Sequence, residues 1–221
     1  QMPGEPGPKG YLYMFTMNDS RTEASFKQIK SQAFKDQEVS LQNARRTAKD
    51  NYLDFWKNEW LGDNSGFYLV RQSRDLKRLD LCWVGVDSDS TKTIISERER
   101  TYVEYRTPFL IGGGKQILHW SERNGWANIY LYNNDGAFVR NLTDGAFHVE
   151  DILGVNEKEG YILLSACGVN KDENPYQMHT FRVPLTGGTL QQLDMNDMDV
   201  LSTASDDAKY FVANYSRVDW T

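Results

Sequence analysis

The chain has 221 residues, of which 39% are hydrophobic, 13% aromatic and 25% charged, a globular balance that excludes an intrinsically disordered chain. Its formal net charge is −6 and its Lys and Arg are scattered rather than striped, which argues against a nucleic-acid surface. No apolar run approaches the roughly eighteen residues that a membrane span needs.

The opening Gln1-Met-Pro-Gly-Glu-Pro-Gly-Pro8 has neither the basic start nor the apolar middle of a secretory signal and reads as an internal linker. Tyr11 to Met17 reads as a strand, being rich in aromatic and extended-chain residues. From Asn18 to Asp50 the composition turns to Lys, Gln, Ala, Ser and Arg. Within it Phe26, Ile29, Ala33 and Phe34 fit a short amphipathic turn or helix, and Val39 to Ala48 fits either helix or extended chain. The stretch exceeds an ordinary strand connection, so residues 18–50 are read as an insertion between strands.

Short strands then follow in quick succession. Tyr52 to Trp60 opens one unit, followed by Gly66 to Arg74, Leu79 to Val86, a polar hairpin at Asp87-Ser-Asp-Ser90 and Thr91 to Ile95. A second unit runs through Phe109 to Ile111, Lys115 to Trp120, Asn128 to Tyr132 and Ala137 to Thr143. A third repeats it with Asp151 to Val155, Tyr161 to Ala166, Met178 to Leu185 and Leu190 to Leu193, and a fourth begins at Val200 and includes Tyr210 to Ser216. Asn133-Asn-Asp-Gly136 and Thr186-Gly-Gly188 supply the positive backbone angles of tight hairpins.

One pattern recurs four times: Gly66-Phe-Tyr-Leu-Val70, Lys115-Gln-Ile-Leu-His119, Gly160-Tyr-Ile-Leu-Leu164 and Lys209-Tyr-Phe-Val-Ala213, each after a polar turn. Phe67, Gln116, Tyr161 and Tyr210 are spaced 49, 45 and 49 residues apart. A period in the forties built of strand, turn, strand, hairpin and strand is the signature of β-propeller blades. A β-sandwich also has many short strands, but is not expected to repeat so regularly. The predicted fold is therefore all-β: an incomplete β-propeller of about three to four blades, each a four-stranded antiparallel meander, with residues 1–221 forming part of one such domain.

Catalytic signatures are missing. No Gly-x-Ser-x-Gly elbow presents a nucleophile, and Gly112-Gly-Gly-Lys115 lacks the spacing of a phosphate-binding loop. His119, His148 and His179 have no second His or Cys at ligand spacing, so no metal site is predicted, and His119 reads as a hydrogen-bonded structural residue. The pairs Glu150-Asp151 and Asp206-Asp207 read as solvated turn residues, and Cys82 and Cys167 as buried thiols rather than a disulfide. Catalytic residues and cofactors are expected to be none in this chain.

Two segments stand out. Tyr102-Val-Glu-Tyr-Arg-Thr-Pro108 joins two predicted blades and carries Glu104, Tyr105 and Arg106, where connections over a rigid scaffold tend to meet ligands. Its plainer reading is an Arg106–Glu104 surface pair of small energetic consequence. Ser121-Glu-Arg-Asn-Gly-Trp126 reads as a turn with a charge pair and an anchoring tryptophan.

The stretches Trp120-Ser-Glu-Arg-Asn-Gly-Trp-Ala-Asn-Ile-Tyr-Leu-Tyr132, Arg140-Asn-Leu-Thr-Asp-Gly145, Gly154-Val-Asn-Glu-Lys158 and Asn214-Tyr-Ser-Arg-Val-Asp219 resemble the N-terminal propeller of dipeptidyl peptidase IV-type serine peptidases of the prolyl oligopeptidase superfamily, bacterial members in particular. The Pro/Gly-containing start followed by a strand is similar to the link into a later blade of that propeller. Asn124 stands where the family usually has Asp, and Asn128 where it usually has His. The resemblance runs from about Met2 to the end and covers residues 18–50 poorly.

The resemblance implies an eight-bladed propeller capping a C-terminal α/β-hydrolase domain with a Ser-Asp-His triad, which removes two residues, or in some members three, from peptides with a free N-terminus. In that family a Glu-Glu pair on the propeller holds the substrate ammonium, and this chain has no Glu-Glu dipeptide. An aromatic–Arg pair on an inter-blade loop lines the extended substrate pocket in some members, and Tyr105-Arg106 matches it in position and type. The chain is then expected to be a non-catalytic segment giving scaffold, gate and part of the pocket, periplasmic or secreted, and self-associating through unpaired blade edges. The alternative is a non-enzymatic propeller that serves as a binding or scaffold protein.

Overall fold

The computed structural model describes residues 10–43, 60 and 63–218. Every regular element among them is a β-strand, and the chain divides into two compact units. In the described residues the first comprises 10–43, 60 and 63–107, and the second 108–218.

The first unit opens with β1 (Leu12–Met17) and β2 (Ala24–Ile29), an antiparallel pair. The turn between them is held by Asn18, whose Oδ1 accepts the Thr22 amide at 2.9 Å. A four-stranded meander follows in chain order: β3 (Gln37–Leu41), β4 (Gly66–Ser73), β5 (Arg78–Gly85) and β6 (Lys92–Arg98). The stretch read as an insertion thus supplies β2 and β3. The helix or turn expected around Phe26–Phe34 is overturned as far as Ile29, because Ala24–Ile29 gains a full ladder against β1. Val39 falls in β3, on the extended side of the two readings left open there. Residues 44–50 and the expected strand Tyr52–Trp60, except Trp60 itself, lie outside the described residues; Trp60 makes an isolated bridge to Phe67, and β3 holds the first place in this blade.

The second unit holds two more meanders. They are β7 (Phe109–Ile111), β8 (Gln116–Ser121), β9 (Asn128–Asn133) and β10 (Phe138–Asn141), then β11 (His148–Asn156), β12 (Tyr161–Cys167), β13 (Met178–Pro184) and β14 (Gln191–Gln192). The pair β15 (Asp199–Ala204) and β16 (Phe211–Ser216) follows. Three four-stranded blades and two two-stranded pieces make the incomplete propeller that the repeat predicted. The β9–β10 hairpin turns where predicted: Gly136, at φ 94°, donates its amide to Asn133 O at 3.0 Å.

Apolar alternation builds the cores. In the first unit Ile29, Phe67, Leu69, Cys82 and Val84 pack together, with Leu12, Met14, Val39 and Leu41 against them. Leu12 and Met14 alternate along β1 and so bring one face of the β1–β2 sheet onto the blade. In the second unit a larger core joins both blades through Leu118, Trp120, Ile129, Leu131, Val149, Ile162, Leu164 and Phe181. Each such side chain contributes about 1.5–3 kcal/mol on burial, so sheet-on-sheet packing dominates over any single surface ion pair. Trp120 ties the two sheets by donating Nε1–H to Val149 O at 2.6 Å.

Candidate functional site

The predicted ligand segment follows β6 and has no regular strand between 99 and 107. It is fastened to the β4–β5 turn instead. Glu99 N donates to Lys77 O at 3.0 Å and Val103 N to Leu76 O at 2.8 Å, while Gln72 Nε2 reaches Val103 O at 3.4 Å. Val103 is buried, and Leu76 takes a left-handed φ of 59° to present its carbonyl. From this anchor Glu104, Tyr105 and Arg106 follow, all half-buried.

Arg106 Nε donates to Glu104 Oε1 at 2.8 Å. The pair named in the sequence therefore forms, with both side chains partly solvated, and is worth at most about 1 kcal/mol. Its chemical effect is on direction. A planar guanidinium gripped through Nε has a set orientation, which suits recognition of a carbonyl or carboxylate better than a freely rotating cation does.

The other candidates separate. Glu150 and Asp151 lie within β11, not in a turn, where the register shifts between Val149 and Asp151. Glu150 Oε2 is 3.1 Å from His148 Nε2, two residues back on the same face. Asp207 sits in a turn as expected, and the Ser205 hydroxyl and Lys209 amide hold its carboxyl below the usual range. In the 121–126 turn Trp126 is 47% exposed, and it is Trp120 that anchors. Arg123 there stacks on Tyr130 and Tyr132 and bonds Ser121 Oγ. His119 is buried edge-on to Tyr132.

Both cysteines are free thiols. Cys82 is buried as expected, whereas Cys167 is only half-buried at the end of β12. Burial pushes both thiols above their usual value, away from the reactive thiolate. Among the described residues no group of three or more His, Cys, Asp and Glu side chains is arranged to hold a metal ion.

Two polar clusters escaped the sequence reading. In the first unit Asp80, on β5, joins Arg71 on β4 and Arg98 on β6. In the second His179 stands between Asp194 and Glu173. A signal for the latter exists in the repeat. His179 bonds a residue fifteen positions on, as Asn128 bonds Thr143 fifteen positions on in the preceding blade.

Both two-stranded sheets present apolar side chains outward. On β1–β2, Tyr13, Phe15, Met17 and Phe26 share one exposed face, and Phe15 stacks on Phe26 at 5.6 Å. On β15–β16, Leu201 and Val212 are exposed on one face. A cavity of about 200 Å³ lies beside β1, lined by residues 12–15 together with Ile29, Leu41, Trp60 and Phe67.

The fold has close counterparts among solved structures. A Bacteroides ovatus protein described as a dipeptidyl aminopeptidase IV superposes with a TM-score of 0.66 at 18% identity, over 90% of this chain and 28% of that one. Porphyromonas gingivalis dipeptidyl peptidase 4 superposes with a TM-score of 0.68 at 18% identity, over 91% of this chain and 26% of its own. The chain thus spans about a quarter of the length of these proteins. A family model described as dipeptidyl peptidase IV (DPP IV) N-terminal region matches residues 2–221. With three blade meanders in register with its repeat and a match over nearly its whole length, the chain belongs to the dipeptidyl peptidase IV N-terminal region family.

Proposed function

We propose that this chain is a non-catalytic propeller segment of a dipeptidyl-peptidase-like serine exopeptidase. The family match over residues 2–221 carries this reading. The parent protein pairs the propeller with a C-terminal α/β-hydrolase domain. There a serine attacks the peptide carbonyl, the amine leaves, and water hydrolyses the acyl-enzyme. The propeller serves as scaffold and gate and forms part of the pocket for peptides with a free N-terminus. Tyr105 and Arg106 form one wall of that pocket, where the guanidinium, aligned through Glu104, meets a substrate carbonyl. The parent works in the periplasm or outside the cell.

In the full-length protein Arg106→Ala is expected to raise KM for tetrapeptides severalfold and leave kcat within about twofold, the pattern of a lost binding contact. Unchanged tetrapeptide kinetics would remove Arg106 from the pocket. A full-length protein that neither reacts with a serine-directed fluorophosphonate nor cleaves N-terminal dipeptides would turn the reading to a binding scaffold.

The isolated 221-residue chain self-associates through its exposed sheet faces, where Phe15 and Phe26 on one sheet and Leu201 and Val212 on another lie open. Sedimentation velocity is expected to show growth in mass with concentration, which Phe15→Lys with Phe26→Lys reduces. A strictly monomeric profile at high concentration would overturn it.

A further inference from the structure

His179 lies in the second position of β13 and is 3% exposed, with carboxylates on both ring nitrogens. Nδ1 is 2.9 Å from Asp194 Oδ1, and Nε2 is 3.0 Å from Glu173 Oε2. The first contact is a hydrogen bond. The second is off the line of a ring N–H and acts as a charge contact. The Asp194 side chain is fully buried, and its other oxygen takes the Thr180 amide at 2.5 Å. Asp194 therefore lies in the turn after β14, held to β13 through the Thr180 amide, whereas Glu173 belongs to the irregular segment 168–177 between β12 and β13.

Glu173 is the hub of that segment. Its Oε2 takes Asn170 Nδ2 at 3.0 Å and its Oε1 takes the Asp197 amide at 3.1 Å, so it joins the segment to the turn after β14. Burial raises its carboxyl, but Asn170, the Asp197 amide and His179 outweigh that and hold it below the usual range. The remaining surroundings carry little compensating charge. Strand β12 places Ala166 opposite His179, Gln192 Nε2 donates to Asp194 Oδ1 at 3.0 Å, and Lys171 and Asp172 are exposed. Asp197 pairs with Arg217 at 2.7 Å, and Asp199 accepts the Met178 amide at 2.9 Å.

We infer that Glu173, His179 and Asp194 form a proton-operated latch that fastens residues 168–177 to the 193–198 turn while the imidazole carries both protons, and loosens them when Nε2 loses its own. A neutral ring has one N–H, and Asp194, fully buried and fixed by the Thr180 amide, keeps it. The Nε2 lone pair then faces the Glu173 carboxylate, and attraction becomes repulsion in a site that water scarcely enters. Glu173 is the member free to move, because it sits on a segment without ladder bonds. The part released carries Tyr176, 83% exposed. The preceding blade supplies an uncharged version of the same tie, in which Thr143 Oγ1 donates to Asn128 Oδ1 at 2.8 Å.

Hydrogen exchange on the full-length protein tests the latch, read at the amides of 169–174, 176, 177 and Asp197 at about pH 5.5 and about pH 8.5. After correction for intrinsic exchange, protection is expected to fall severalfold at the higher pH. The amides around Asn128 and Thr143 serve as the internal reference and are expected to stay level. Glu173→Gln, and His179→Asn with Asp194→Thr, are each expected to flatten the difference. Equal protection of the wild-type segment at both pH values overturns the inference without any variant, and so does a Glu173→Gln protein that keeps the wild-type pH dependence.

Discussion

Arg71 and Asp80 are direct cross-strand partners on β4 and β5, and Arg71 Nε donates to Asp80 Oδ2 at 2.7 Å with both side chains almost wholly buried. Arg98 Nη2 and Ser96 Oγ close on the other carboxylate oxygen at 2.7 Å and 2.9 Å. Arg71 continues outward, donating to Ser31 O at 3.1 Å and Thr93 Oγ1 at 2.8 Å. One buried carboxylate thus joins three adjacent strands of the blade and the segment that leads into β3. A buried pair of this kind is weak evidence for net stability, but removing one member leaves an uncompensated charge in a dry site.

Asp80→Asn is accordingly expected to destabilise the first unit by about 3–5 kcal/mol, since the amide keeps the shape and abandons Arg71. Arg98→Ala should cost less than about 1 kcal/mol, because that guanidinium is 46% exposed while Arg71 and Ser96 still hold Asp80. Urea melts of the two variants side by side check the order. Equal losses would mean that the charge of Asp80 is not what holds the strands.

The same carboxylate sets an acid limit. Burial raises the Asp80 carboxyl, but Arg71, Arg98 and Ser96 outweigh it and hold the folded value below the usual range. The depressed folded value means that this contribution is complete above the ordinary carboxylate range and lost as pH falls through the folded one. Unfolding on acidification is expected to begin below the ordinary carboxylate range and to shift to higher pH in Ser96→Ala. A Ser96→Ala titration that superposes on the wild type would contradict the assignment.

Gly66 opens β4 against the ring of Trp83, where an added Cβ would stand 2.5 Å from the indole and 2.5 Å from Val84 O. Both neighbours belong to the paired strand β5, so neither can yield cheaply. Gly66→Ala is expected to lower stability by about 1–3 kcal/mol through overpacking. Gly10→Ala, with nothing within 4 Å, should be silent. Thermal melts of both variants read the contrast.

Much of this architecture was legible because propeller strands announce themselves locally. Gly66 to Val70, Lys115 to His119 and Gly160 to Leu164 alternate or run apolar for one strand length after a polar turn, and all three fall in the central strands of blades. Phe26 to Phe34 misled because its apolar spacing fits a helical turn when isolated, and only the ladder to β1 turns Ala24–Ile29 into a strand. Glu104 and Arg106 were legible as a pair, being two residues apart. Their anchor was not, since Gln72 of β4 and Leu76 of the turn after it come from nearly thirty residues earlier.

By itself the sequence determined the period, the all-β class and the family, since these rest on short-range alternation, turn chemistry and spacing that survive without coordinates. Which charges meet depends on how the strands and connections come together in space. Asp80 finds Arg71 and Arg98 because three strands lie side by side, and His179 finds Glu173 and Asp194 because the segment before β13 and the turn after β14 fold onto one strand end. Such meetings depend on register and on the path of irregular chain, which no local pattern encodes, and burial then gives them their energetic weight.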